Sequence, residues 1–559
     1  MHVPMRKIGP WARELIDECY VSRDLRIEQN RVFRNYYQSG SETGEQVRYN
    51  RCFGHVDRLS SMLFSPVDVR FDIELDQSEN AQNIAITEGG TRYLNREYTR
   101  TGCDVDFSAG VECALIKGAS LIKTVWGNNG LEPWVVHPEY FGVLREDIAD
   151  LDRQEAFVHT TYFTKSAFMR YIADNPDRAE ILKEVESAFK PRGDGEFNDS
   201  YFHEVLIGQI NPVQATSSGF GSVSISGNVP MLAKEVAAEM VRVDELWVID
   251  DKRQDWTTIR IAGEETVIEG RNRHRNLLAD GDMQDHPFLK GEQPFRKICP
   301  NEVNGYFWGM SEIAQIARLQ DLLSQTVNDI NRMVMLKADP PRAGIGFSGM
   351  TQEKYRALRR RGGFISEDGP NAKLETLAPD IPAEIFGWVD RILSMFDDVA
   401  GFAPIMMGQG EPGVRANAHA QTLSRNATPR LRDRALLTEK QAVQHGELCL
   451  KILQSKNADV FEADVDEKKV PYKLGDLPDD YRVSIDSHTA SPAFAEDNER
   501  KAFALHRAGA IDAVDLIMLT HPPHEDSLML RARQRAAAQA KMIKEHPELL
   551  TKGKGKPKI

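Results

Sequence analysis

Ser311-Glu-Ile-Ala-Gln-Ile-Ala-Arg-Leu-Gln-Asp-Leu-Leu-Ser-Gln-Thr-Val-Asn-Asp-Ile-Asn-Arg-Met-Val-Met-Leu-Lys-Ala-Asp-Pro-Pro341 is the stretch on which the fold turns. Ile313, Ile316, Leu319, Leu323, Val327, Ile330 and Val334 recur three or four apart, which puts them on one stripe of an α-helix. Ser311 is a suitable N-cap, and Glu312 sits at the positive end of the helix dipole. Lys337 falls in the last turn, and Asp339-Pro340-Pro341 stops the helix. At 1.5 Å per residue a helix from 311 to 338 spans ~42 Å. A one-sided stripe of that length needs a continuous partner, either another helix of the same chain or a neighbouring subunit.

Downstream, a second helix is predicted after Pro382. Ile385, Val389, Ile392, Phe396 and Val399 form its narrow seam, and Gly401 is a natural C-terminal cap. The loop that follows, Phe402 to Asn417, has an unusual composition: Pro404, Met406, Met407, Gly408, Gln409, Gly410, Pro412, Gly413 and Arg415. A long helical region then runs to about Gln454, with a kink expected at Pro429. Tyr481–Ile485 reads as a strand, and the chain from Asp497 onward reads as helical. The Lys-, Gly- and Pro-rich stretch Thr551 to Ile559 reads as disordered.

Upstream, Trp11–Tyr37, Asn50–Phe64 and Asn83–Lys117 read as helices, and the alternation Val67, Val69, Phe71, Ile73, Leu75 as a strand. Strands are also expected at Leu121–Trp126, Trp134–Val136 and Ala156–Tyr162, before a short helix capped by Thr164. Gln214–Gly227, dominated by Ser and Gly, reads as a flexible loop or linker. Met231–Arg242 reads as a modest helix. Strands at Leu246–Ile249, Thr257–Ile261 and Thr266–Ile268 suggest a small β-rich unit over residues 243 to 305. The fold class is therefore mixed α+β and helix-rich.

Across 559 residues, about three or four domain lengths, the apolar fraction of 41% and charged fraction of 28% fit a globular chain. No run approaches the ~18 to 20 apolar residues a membrane helix needs. Met1 to Lys7 lacks a secretory profile, so a soluble protein that is not exported is expected. Lys plus Arg is 70 against 84 for Asp plus Glu, a net charge of −14. Such a chain is not expected to coat nucleic acid, because phosphate binding needs cations at the contact. Cys19, Cys52, Cys103, Cys113, Cys299 and Cys449 show no CxxC pair or metal-type spacing, so buried, reduced thiols are expected.

Catalytic signatures are weak. Gly408-Gln-Gly410-Glu-Pro-Gly413 matches GxGxxG, but a helix precedes it and Pro412 interrupts it, whereas a dinucleotide site closes a strand and opens a helix. No Walker A, HExxH or GxSxG sequence occurs. His521-Pro-Pro-His524-Glu525 gathers possible ligands, but the prolines deny them helical spacing. The sequence therefore predicts no catalytic residue, no cofactor and no metal. Arg271, Arg273, His274 and Arg275 crowd the end of the β-rich stretch, and Arg359, Arg360 and Arg361 precede two glycines. Runs of this kind are more often solvated faces than nucleic-acid sites.

Taken in order, these features resemble the portal proteins of tailed double-stranded DNA bacteriophages, most of all those of short-tailed phages. The resemblance spans nearly the whole chain as an order of elements. It rests on Asn30-Arg-Val-Phe-Arg-Asn-Tyr-Tyr with Arg48 to Pro66, on Ala114 to Trp126, on Gly309 through Pro341 with Gln320 and Asn331, and on Val399 to Gly408. It implies a ring, most often of twelve subunits, at one capsid vertex, through which the genome is packaged and ejected. Its implied partners are double-stranded DNA, the large terminase subunit, tail adaptor or head-completion proteins, and the major capsid and scaffolding proteins, with no membrane. Its implied location is the virion, after assembly in the host cytoplasm. By order of elements, residues 1 to 230 are the first part of the wing. Residues 231–242 and 306–338 become stem helices, with 243–305 the clip between them and its basic cluster at Arg271, Arg273, His274 and Arg275. The wing resumes at 339–401 and again after a tunnel loop at 402–417, where Met406, Met407, Gly408, Gln409, Gly410, Gly413 and Arg415 face the channel. Residues 418–490 supply a long kinked helix and further wing strands, and 491–559 a helical crown and basic tail. A nucleotide-dependent enzyme using the 408–413 glycines and a non-portal structural adaptor are the alternatives.

Overall fold

The computed structural model describes residues 8–39, 49–66, 69–75, 81–191, 239–250, 255–268, 288–289, 291–338, 340, 342–345, 353–354, 373–376, 382, 384–401, 429–456, 459–465, 468–478, 480–485, 502–513, 516–517, 528, 531–532 and 535. Helices α1 (Ile8–Cys19), α2 (Arg23–Ser39) and α3 (Arg51–Leu63) come first, followed by strand β1 (Phe71–Leu75). Helices α4 (Ala81–Arg100) and α5 (Cys103–Lys117) lead into β2 (Ser120–Gly127), β3 (Gly130–Val136), β4 (Phe141–Val143) and β5 (Ala156–Thr164). Short helices α6 (Lys165–Tyr171) and α7 (Arg178–Val185) precede β6 (Lys190–Pro191). Strands β7 (Glu239–Asp250), β8 (Asp255–Ala262), β9 (Thr266–Val267) and β10 (Phe295–Ile298) follow. Then come α8 (Glu312–Ala338), β11 (Arg342–Ile345), β12 (Lys373–Thr376), α9 (Glu384–Ala400), α10 (Pro429–Lys456), β13 (Phe461–Val465), β14 (Lys468–Tyr472) and β15 (Tyr481–Ile485). The class is mixed α+β, as the sequence predicts.

The chain forms two compact units, Met1–Leu59 with Ala109–Lys123 and Val135–Asp433, and Ser60–Ser108 with Thr124–Trp134 and Arg434–Ile559. The first is organised around an antiparallel sheet ordered β4-β5-β7-β8-β9, with β6 also paired to β7. Strand β7 runs through its middle and is covered on both faces. Leu246 and Val248 join Ala156, Val158, Ile259 and Ile261 against Trp11, Ala12, Leu15 and Ile16 of α1. Trp247, of opposite parity, joins Phe157, Trp256, Phe295, Phe307 and Trp308. Val241 and Val243, on that same parity, pack with Phe168, Ile181 and Val185 from α6 and α7. This two-residue alternation is what a pleated strand imposes.

That strand corrects the sequence reading. Of the helix expected over Met231–Arg242, residues 231–238 lie outside the described ones, and the remaining four begin β7. Helix propensity gives way to pairing: Met240 to Val243 lie opposite Thr164 to Thr161 of β5. The β-rich stretch expected over 243 to 305 pairs with strands outside it. Its first strand pairs with β5, and its last, β10, pairs with β2, placing Phe295 opposite Lys123.

Two predicted helices prove to be pairs. Trp11–Tyr37 breaks at Tyr20–Ser22, where tertiary contacts hold the bend. The Tyr20 hydroxyl lies 2.7 Å from Thr160 Oγ1, and Arg23 Nε donates to the Glu139 carbonyl at 2.8 Å. Asn83–Lys117 divides into α4 and α5 at Thr101-Gly102. The Thr164 cap holds, its hydroxyl accepting from Ala167 N at 3.3 Å.

The start of α8 is fixed by backbone packing. Gly118 has φ 101° and Gly309 φ 65°, both in the left-handed region that favours glycine. A Cβ on Gly118 would lie 2.7 Å from the Trp308 carbonyl oxygen, and one on Gly309 would lie 3.0 Å from that of Gly118. Next to this contact Ser311 Oγ donates to the Ile116 carbonyl and accepts from Ala314 N at 3.3 Å, as the predicted N-cap should.

In the second unit β1 pairs antiparallel with β15, from Phe71 opposite Ile485 to Leu75 opposite Tyr481, and β13 pairs with β14. Helix α4 lies against β1, β13 and β14. Pro429 is the first residue of α10, where its missing N–H costs nothing. The residues before it, on which the expected kink depends, lie outside the described ones. All six cysteines are buried, and none forms a disulfide. Burial pushes the Cys19, Cys52 and Cys299 thiols up to about 12. Among the described residues no helix is long and apolar enough to cross a membrane.

Candidate assembly surface

Helix α8 is held at its first half by polar contacts with α2 and α3. His55 Nε2 is 3.1 Å from Glu312 Oε1, and both side chains are buried. Gln320 accepts from Arg51 N at 2.9 Å and donates to the Tyr49 carbonyl at 2.9 Å. The Tyr36 hydroxyl donates to Asp321 at 2.8 Å. Each bond satisfies a group that burial would otherwise penalise, so together they fix rotation as well as position.

Helix α9 packs along α8. The two run antiparallel, because residues near the end of α9 meet the same α3 side chains that hold the beginning of α8. Asp397 pairs with Arg51 at 3.3 Å, and Phe396 packs edge-on to His55 at 6.4 Å. Gly401 has φ 79°, the cap its sequence position predicts.

Along the stripe Ile313, Ile316 and Leu323 are fully buried, while Leu319, Val327 and Ile330 are half-buried. Val334 is 45% exposed, and Met335 and Leu336 beside it are also open. Helix α9 mirrors the gradient: Ile392 and Phe396 are fully enclosed, Ile385, Val389 and Val399 half-buried, and Phe386 and Trp388 exposed. The antiparallel arrangement brings the open ends of the two helices to the same extremity. The far half of the pair thus carries apolar side chains that the described residues do not cover.

Residues 402–417, with Met406, Met407, Gly408, Gln409, Gly410, Gly413 and Arg415, lie outside the described residues, as do Arg271, Arg273, His274 and Arg275. The structure brings together the stripe residues alone. Sequence reasoning passed over Phe386 and Trp388, because they fall off the seam that it followed.

Elsewhere in the first unit, several charges are buried in pairs. Lys123 Nζ bonds Glu245 at 2.8 Å, and Lys117 Nζ bonds Glu139 at 2.8 Å. Burial raises the Glu245 carboxyl, but the charges of Lys123 and Arg260 and the Lys123 hydrogen bond outweigh it, bringing it down to about 2. Burial, reinforced by Lys123, lowers His159 to about 3, and burial with Lys117 lowers His137 to about 4. Both imidazoles are neutral parts of the interior at pH 7. In the second unit an open recess of about 530 Å³ lies between Arg100, Thr101, Asn129, Leu131, Glu132 and Pro133.

No family model matches the chain, and no curated protein matches it in sequence. Among solved structures it is similar to a chain of the virion of a native gene transfer agent particle, at 11% identity and a TM-score of 0.39, covering 84% of this chain and 89% of that one. It is also similar to a chain from the neck of an empty gene transfer agent particle, at 11% identity and a TM-score of 0.40, covering 84% and 90%.

Proposed function

We propose that the chain is a portal-type subunit. Copies of it close into a ring at one vertex of a phage-type capsid, and double-stranded DNA passes through the centre during packaging and ejection. The observation that carries this reading is the gradient along α8 and α9: anchored by buried polar bonds at one end, uncovered and apolar at the other. A closed ring needs contacts between different faces of identical chains, and an apolar helix end would pack against the neighbouring helix pair. Composition agrees with a conduit. A net charge of −14, repeated around a ring, repels phosphate, leaving isolated cations such as Arg415 to make weak, reversible contacts. In this reading the subunit catalyses nothing, and a separate terminase ATPase and the tail adaptors dock on its rim.

Negative-stain microscopy and sedimentation of the purified full chain test it. Rings with an axial hole are expected, and the combined change Met335→Ser and Trp388→Ser should leave folded single chains. A wild-type protein that stays monomeric under capsid-assembly conditions, or that assembles without a hole, overturns the proposal. A melting temperature raised by ATP or NAD would favour a nucleotide-binding enzyme instead.

A further inference from the structure

The interior of the second unit holds a group of side chains that the portal reading does not use. Cys103 opens α5, while His445 and Cys449 stand one turn apart on α10, and all three are buried. The two sulfurs and an imidazole nitrogen lie within 4.8 Å of one another. His445 Nε2 is 3.7 Å from Cys449 Sγ and 2.9 Å from the Thr124 hydroxyl. On the other side of the ring, Nδ1 is 2.9 Å from the Tyr98 hydroxyl. Phe107 stacks on the imidazole with ring centroids 5.8 Å apart, and Tyr98 meets it edge-on at 5.4 Å.

We propose that Cys103, His445 and Cys449 bind a divalent zinc-type cation, with the Thr124 hydroxyl or a water supplying the fourth donor. Two thiolates and one imidazole form a donor set that suits zinc and disfavours magnesium or calcium, which take oxygen ligands. The spacing fits. In a tetrahedral site with Zn–S ~2.3 Å and Zn–N ~2.0 Å, sulfur and nitrogen lie ~3.5 Å apart, close to the 3.7 Å seen here. Thr124 stands beside the same nitrogen, where an oxygen donor would complete the tetrahedron. Tyr98 occupies the outer position that orients a ligating histidine: Nδ1–H donates to its oxygen and leaves the Nε2 lone pair for the metal. Occupancy would cross-link α4, α5, β2 and α10 within the unit, linking metal affinity to stability.

The test uses the tag-free full chain. Elemental analysis after desalting should find about one zinc per chain. Zinc added to chelator-treated protein should raise the melting temperature and release up to two protons as the thiols ionise. Cobalt(II) in place of zinc should give a thiolate charge-transfer band in the near ultraviolet. Cys449→Ser should abolish that band, and Tyr98→Phe should keep it while weakening affinity by about 10- to 100-fold. If Cys449→Ser does not fold, the cobalt spectrum and proton release of the wild-type chain still decide. The proposal is overturned if wild-type protein binds neither metal, if Cys449→Ser keeps the zinc content and the band, or if denaturing, non-reducing mass spectrometry finds Cys103 and Cys449 joined as a disulfide.

Discussion

Leu323 and Met335 stand on the same helix, yet one is fully enclosed and the other is 64% exposed. The near half of α8 spends its apolar stripe on the interior of its own unit and adds Glu312, Gln320 and Asp321 as polar anchors. The far half continues the stripe with nothing of the described chain to cover it. Periodicity is the same in both halves, so periodicity alone does not tell a core from an interface. Buried polar anchors such as Glu312 and Gln320 mark the half that packs into its own unit, while Val334, Met335 and Leu336 of the far half stay exposed.

The sharpest way to break this contrast is a cavity in the near half. Leu323→Ala should cost about 2–5 kcal/mol, read as a lower urea midpoint. A loss below 1 kcal/mol would mean that the near half is not the structural one. Acid should act on the same interior. His137 and His159 are held neutral in the fold but gain protons below about pH 6.5 once unfolded. Their depressed values make stability fall as pH drops from about 6.5 towards 4 and 3, by up to about 1.4 kcal/mol per pH unit for each histidine. Urea titrations between pH 7 and 5 should show that slope, and His159→Phe should reduce it by about half. Gln320→Met removes the partner of Arg51 N and the Tyr49 carbonyl, at a cost of about 1–3 kcal/mol. The smallest effect on folding belongs to the far half. Trp388→Ser should move the stability of the single chain by no more than about 0.5 kcal/mol, while sedimentation shows assembly weakened. A large loss of monomer stability there would place Trp388 in the core and remove the contrast.

Much of the helix pair was legible beforehand. Ser311, Asp339-Pro340-Pro341, Pro382 and Gly401 punctuate it by local chemistry, and the stripe supplies its phase. The break at Tyr20–Ser22 was not legible, because neither glycine nor proline marks it and contacts with Thr160 and Glu139 set the bend. Strand β7 was misread at its start. Glu239 and Met240 read as helical in isolation, whereas Val241 and Val243 lie opposite Phe163 and Thr161 of β5. Gln320 and Asp321 were visible as letters, but their roles depend on Tyr36, Tyr49 and Arg51. The thiol–imidazole cluster had no local signature, since Cys103 lies on a different helix from His445 and Cys449. The one local signal available was the i, i+4 pair of His445 and Cys449.

The contact between Gly118 and Gly309 has a mechanical consequence. Where two main chains touch without side chains between them, there is no rotamer to adjust and little slack. Helix α8 leaves this hinge point as a rod of 27 residues, about 40 Å long. A tilt of ten degrees at its base would swing the far tip by about 7 Å over that length, more than the width of a side-chain contact. A methyl group at either glycine would therefore act as a wedge under a lever, throwing the outer end of the helix out of alignment.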